Sequence, residues 1–258
     1  MGLTNEDYQD EELRALPVFL LLDTSGSMRW DLGTATKIDK LNEAVKLMMK
    51  KFDELEQYER LIRVTVIEFN DDERVVGKVH DAPNKFLETF TPLTAGGWTQ
   101  LGKAIDKAKE ILEDTERTPK RWYKPAVILV SDGKPEPEGN ADAPLERFVS
   151  EGKSSKAQRF AIAIGADGAK AKDVLIKFTG TEKNVLFAED AEDIVKKFEF
   201  LSQTVSNRAS QANPDKFSID YADVFDPNPA TVRTRKTSTS STRSRKSSSS
   251  APKDPWDK

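Results

Sequence analysis

Short runs of consecutive apolar residues, each stopping at an acidic or Gly-containing turn, alternate along this chain with stretches whose apolar residues recur every three or four positions. A continuous run is how a strand buried on both faces of a parallel sheet reads, and the three-to-four spacing marks one face of an amphipathic helix. Pro17 to Leu22 predicts a first strand, and Ile38, Leu41, Val45, Met48, Phe52 and Leu55 a long helix after it. Arg63 to Phe69 and Val75 to Val79, rich in β-branched residues and separated by Asn70-Asp71-Asp72, predict a hairpin with a solvated turn. Leu101, Ile105, Ala108 and Leu112 mark a second helix, Lys124 to Val130 another buried strand, and Pro144 to Ser150 a further helix. A strand at Phe160 to Ile164, a short helix at Asp173 to Phe178 and a strand at Val185 to Phe187 follow; Ile194, Phe198, Leu201 and Val205 mark a last helix capped near Asp190. This order predicts an α/β fold in three layers: a doubly wound, mostly parallel central sheet with one antiparallel edge strand.

Composition narrows the chemistry. The chain has 258 residues and no cysteine, which removes disulfides, thiolate metal sites and thiol nucleophiles. A metal must therefore bind through oxygen or through the one histidine, His80, which stands alone and reads as an ordinary surface residue. The longest apolar run, Ala15 to Leu22, falls far short of the roughly 20 residues needed to cross a bilayer, and the acidic start is unlike a signal peptide, so a cytoplasmic location is expected. The net charge of −4 hides a division: residues 230–258 carry +6, leaving −10 on the rest, a balance unlike that of a nucleic-acid or anionic-membrane binder. Residues 231–250 contain 13 Ser/Thr and nothing aliphatic larger than Val232, too little apolar surface to offset chain entropy. The expected organisation is an acidic extension (1–15), one domain (16–208), an extended strap or linker (209–229) and a disordered basic Ser/Thr-rich tail (230–258).

In open α/β sheets ligands bind beyond the carboxyl ends of the strands. The first strand ends in Asp23-Thr24-Ser25-Gly26-Ser27, a D-x-S-x-S sequence; the loop Thr94-Ala-Gly-Gly-Trp-Thr99 precedes a helix; another buried strand ends in Ser131-Asp132-Gly133. Two carboxylates and three hydroxyls, completed by water, suit a hard divalent cation such as Mg²⁺. Only two formal negative charges would face that cation, so the site invites an anionic ligand from outside. The same two carboxylates and a metal describe an alternative, a Mg-dependent hydrolase, although no general base, P-loop or Ser–His pair accompanies them.

These residues resemble the metal-ion-dependent adhesion site of von Willebrand factor A (VWA) domains, a Rossmann-like family, over about residues 16–208. The resemblance implies a non-enzymatic, protein-binding module whose Mg²⁺ (or Mn²⁺ or Ca²⁺) is held by Asp23, Ser25, Ser27, Thr99 and Asp132, with an acidic residue of a protein partner completing the shell. Thr94 shares the loop with Thr99, and the match of Thr99 to Thr-x-Leu-Gly favours the latter. Leu16-Pro-Val-Phe-Leu-Leu-Leu-Asp-Thr-Ser-Gly-Ser-Met28, Leu-Thr-Ala-Gly-Gly and Thr-x-Leu-Gly-x-Ala are most similar to the bacterial tellurium-resistance TerY branch, which implies a stress-response adaptor with a Ser/Thr kinase and a PP2C-type phosphatase as partners. Assembly on an AAA-type ATPase is the alternative within the wider family. Trp98 departs from the pattern, standing where glycine is expected. Trp98, Met28 and Trp30 are the candidate partner-binding residues, each with packing as the competing role. The tail is a candidate kinase substrate or a spacer.

Overall fold

A computed structural model describes residues 14–56, 61–135, 137, 140–165 and 171–217, which belong to one compact unit. Strand β1 (Leu16–Asp23) is buried at all eight positions, as its unbroken apolar run requires of a strand covered on both faces. It pairs in parallel with β2 (Ile62–Phe69) on one side and β4 (Ala126–Ser131) on the other. The full sheet has the order β3-β2-β1-β4-β5-β6, with β3 (Glu73–Asp81) as the antiparallel edge and β5 (Gln158–Ile164) and β6 (Val185–Ala188) parallel to the centre.

Helices cover both faces. On one, α1 (Lys37–Glu56), α2 (Pro83–Thr89) and α6 (Ala191–Ala209) pack Leu41, Met48, Phe86, Phe198 and Leu201 against Val18, Leu20 and Leu22. On the other, α3 (Leu101–Glu113), α4 (Asp142–Ser150) and α5 (Lys172–Thr179) pack Ile105, Leu112, Phe148 and Phe178 against Phe19 and Leu21. Alternation along β1 thus sends successive side chains into two separate cores. Full burial of each such Leu or Phe contributes about 1.5–3 kcal/mol. Helix α6 is capped by Asp190, whose carboxylate accepts from the Asp193 N–H at 2.8 Å. The predicted elements are all present; among the described residues the structure adds a helix over Pro83–Thr89, too short for a clear period, and four short 3-10 turns.

The structure corrects two readings. Met28 is fully buried in the core beneath α1, so it packs and is not a partner contact. His80 is no ordinary surface residue. The β2–β3 ladder breaks register between Val64 and Val66, and within the resulting bulge His80 adopts a left-handed φ of 55°. Its N–H donates to Thr65 Oγ1 at 2.9 Å, and its ring lies edge-on to Phe19 and Trp122. In the last turn of α6, Arg208 donates through Nε to the Pro214 carbonyl oxygen and pairs with Asp215. Of the expected strap only residues up to 217 fall among those described; the acidic start and the Ser/Thr-rich tail lie outside them.

Candidate metal centre

The carboxyl ends of β1 and β4 are adjacent, so their loops meet at one edge of the sheet. Asp23 is fully buried there. One of its oxygens accepts from the Ser25 N–H at 2.8 Å and the other from Ser131 Oγ at 2.6 Å. Burial and the nearby charge of Asp132 push the Asp23 carboxyl up to about 6, against the opposing pull of these hydrogen bonds. Above this floor Ser25 Oγ lies 3.2 Å from Ser27 Oγ, which donates to Asp132 Oδ1 at 2.7 Å. The loop before α3 is drawn in by main-chain bonds: Gly26 N–H to the Gly97 oxygen at 2.9 Å and Gly96 N–H to the Thr24 oxygen at 2.8 Å.

These contacts frame a cleft of about 370 Å³ lined by Ser25, Ser27, Thr99 and Asp132 together with Trp30 and Trp98. Thr94 is exposed and does not line it, whereas Thr99 is buried at its wall. Four of the five predicted ligands therefore converge on the cleft, and Asp23 sits one layer beneath, where it orients Ser25 and Ser131. Hydroxyl and carboxylate oxygens converging on one open space are a donor set that fits a hard divalent cation. Trp30 and Trp98 are 60% and 62% exposed at the rim, available to a partner in a way that Met28 is not.

The chain belongs to the von Willebrand factor type A domain family, whose model matches residues 18–200. The VWA fold is also that of several solved structures. A von Willebrand factor type A protein from Catenulispora acidiphila shares 19% identity at a TM-score of 0.59, covering 75% of this chain and 43% of its own, so this chain spans under half of it. The vWF domain of the type V pili tip protein Mfa5 from Porphyromonas gingivalis has 12% identity and a TM-score of 0.60, with 78% and 98% covered. The conserved hypothetical protein BatB from Bacteroides thetaiotaomicron has 18% identity and a TM-score of 0.53, with 76% and 100% covered. No curated protein matches the sequence.

Several residues of this VWA edge were not singled out by the sequence. Asp71, read from the sequence as part of a solvated turn or of a second cation site, accepts the Trp98 N–H at 2.9 Å. Gly97, at a φ of +75°, makes that approach possible, since a Cβ there would lie 2.5 Å from the Asp71 carboxylate. The positive φ falls on Gly97 and not on Trp98, which is why a tryptophan is tolerated at the unexpected position. Asn140 donates to the Thr99 carbonyl oxygen at 3.2 Å and accepts the Gly102 N–H. Lys37 reaches Asp132 Oδ2 at 2.7 Å. Only Ser131 carried a sequence signal, standing directly before Asp132 at the strand end.

Proposed function

We propose that this VWA domain is a metal-dependent protein-binding module that holds Mg²⁺, or Mn²⁺ or Ca²⁺ in its place, at the edge formed by Ser25, Ser27, Thr99 and Asp132, with Asp23 beneath. The observation that carries the reading is the chain Ser25 Oγ, Ser27 Oγ, Asp132 Oδ1, linked at 3.2 and 2.7 Å at the open cleft. When bound, the cation supplies an electrophilic centre for a carboxylate of the partner. Ser25 and Ser27 orient their oxygens toward it, Thr99 closes the wall, and Trp98 and Trp30 offer apolar area around it. Among the described residues no histidine lines the cleft, and the one carboxylate that does, that of Asp132, is held in an ion pair, which supports recognition over catalysis.

The motif likeness to the TerY branch supports a finer reading: a cytoplasmic adaptor in a bacterial stress-response or resistance system, working with a Ser/Thr kinase and a PP2C-type phosphatase. No helix among the described residues is long and apolar enough to cross a membrane. The test is calorimetric titration of Mg²⁺ and Mn²⁺ into the wild type and Ser27→Ala. Binding heat is expected in the first and much weaker affinity in the second; equal binding in both refutes the site. Recovery of the kinase or phosphatase on tagged protein with Mg²⁺, and its loss with EDTA, tests the partners.

A further inference from the structure

The metal-edge motif contains two carboxylates and no cation, yet the structure places one against it. Lys37 is the first residue of α1, and its Nζ lies 2.7 Å from Asp132 Oδ2, with 5% of the lysine side chain and none of the aspartate exposed. Local structure dictates the placement. The turn after the D-x-S-x-S loop folds back on itself, Asp31 pairing with Thr36 and the Leu32 N–H reaching the Ala35 oxygen. Thr36 then accepts the Asp39 N–H and starts the helix. The Lys37 N–H returns to the Trp30 carbonyl oxygen at 3.2 Å, and the ammonium lies 5.4 Å from the Trp30 ring centroid.

The two oxygens of Asp132 are consequently divided. Oδ1 accepts from Ser27, whose side chain lines the cleft; Oδ2 is held by an ammonium that does not line it. A buried carboxylate without a partner is costly, and removing one member of such a pair typically destabilises by far more than the pair itself contributes. Lys37 therefore does for Asp132 what a metal would otherwise have to do. It also cancels one of the two negative charges that would attract a divalent cation, and leaves a bound cation with more positive charge to offer a partner's carboxylate.

We propose that Lys37 is the resident counter-ion of the metal edge: by holding Asp132 Oδ2 from behind the cleft it keeps the domain folded without metal and sets the divalent-cation affinity low. The role rests on the metal reading above and goes beyond it, because Lys37 lies outside the five ligand positions. The test compares the full-length wild type with Lys37→Met, Lys37→Arg and the double variant Lys37→Met/Asp132→Asn. Each is melted in EDTA and in millimolar Mg²⁺ and titrated calorimetrically with Mg²⁺ and Mn²⁺ alone. Wild type and Lys37→Arg should lose little stability in EDTA and bind metal weakly. Lys37→Met should melt far earlier in EDTA, recover with Mg²⁺, and bind metal about ten-fold more tightly or better. The double variant, with both charges gone, should regain its stability in EDTA. Equal metal affinity and equal EDTA sensitivity in wild type and Lys37→Met overturn the role of Lys37. So does a double variant as unstable as Lys37→Met, which would make the lysine a packing residue. Absence of binding heat in every protein, with the wild type folded, overturns the metal reading itself.

Discussion

Replacing His80 tests how closely the edge of this fold depends on one uncharged ring. Thr118 Oγ1 donates to the Ile111 carbonyl oxygen at 2.7 Å, so at 2.8 Å from His80 Nε2 it accepts, which places the ring proton on Nε2. Nδ1 is then the acceptor facing Thr65 Oγ1 at 3.3 Å. Burial, with Arg63 and Lys153 adding positive charge nearby, lowers the imidazole from 6.5 to about 4. A base whose folded-state pKa is depressed stabilises the fold fully above its unfolded value near 6.5 and loses that contribution as pH falls toward 4. Over the interval from about pH 8 to about pH 5 the expected loss is about 2 kcal/mol. Urea denaturation across this range should therefore show a steeper acid-side fall in wild type than in His80→Asn, which has no titrating group and tolerates the left-handed backbone. Parallel stability curves for the two proteins would refute a half-buried imidazole held neutral.

Other perturbations address the loops around the cleft. Asn42 accepts the Leu93 N–H at 2.7 Å and donates to the Leu93 oxygen at 3.0 Å, so Asn42→Ala leaves two main-chain groups unpaired and should cost about 2–4 kcal/mol in urea denaturation. In Gly102→Ala the new Cβ would meet the Asn140 carbonyl oxygen at 2.1 Å. The forced shift should cost about 1–3 kcal/mol and, because Asn140 holds Thr99, weaken Mg²⁺ binding in the same calorimetric titration. Trp98→Ala, at a site 62% exposed, should change stability by no more than about 0.5 kcal/mol and leave metal affinity intact while reducing partner recovery; unchanged recovery would remove the ring from the interface.

The alternation of apolar runs and helical periods was enough to determine the layers of this fold, because burial on both faces leaves β1 and β4 no polar position before their last residues, Asp23 and Ser131. The D-x-S-x-S turn was equally legible, since its residues are contiguous and their spacing is fixed by the chain itself. Thr99 and Asp132 could be grouped with it only through the rule that ligands bind beyond the carboxyl ends of strands, and likeness to a family then favoured Thr99 over Thr94. What brings them together is the strand order, which sets β1 beside β4, and the main-chain bonds that hold the loop before α3 against the residues after β1 and β2.

Tertiary structure alone decided the rest. Met28 follows the motif directly and looked as available as Trp30, but the turn after Ser27 directs one side chain into the core and leaves the other at the surface. His80 gave no sign of burial, because the bulge that turns it toward Thr65 and Thr118 arises from a register shift between two strands and not from any local pattern. Lys37 is one of forty basic residues, and nothing in its neighbours distinguishes it. It becomes the partner of Asp132 only because a turn and a helix start bring it to the end of a strand 95 residues away. Contacts of that range are selected by packing, and a one-dimensional pattern carries no record of them.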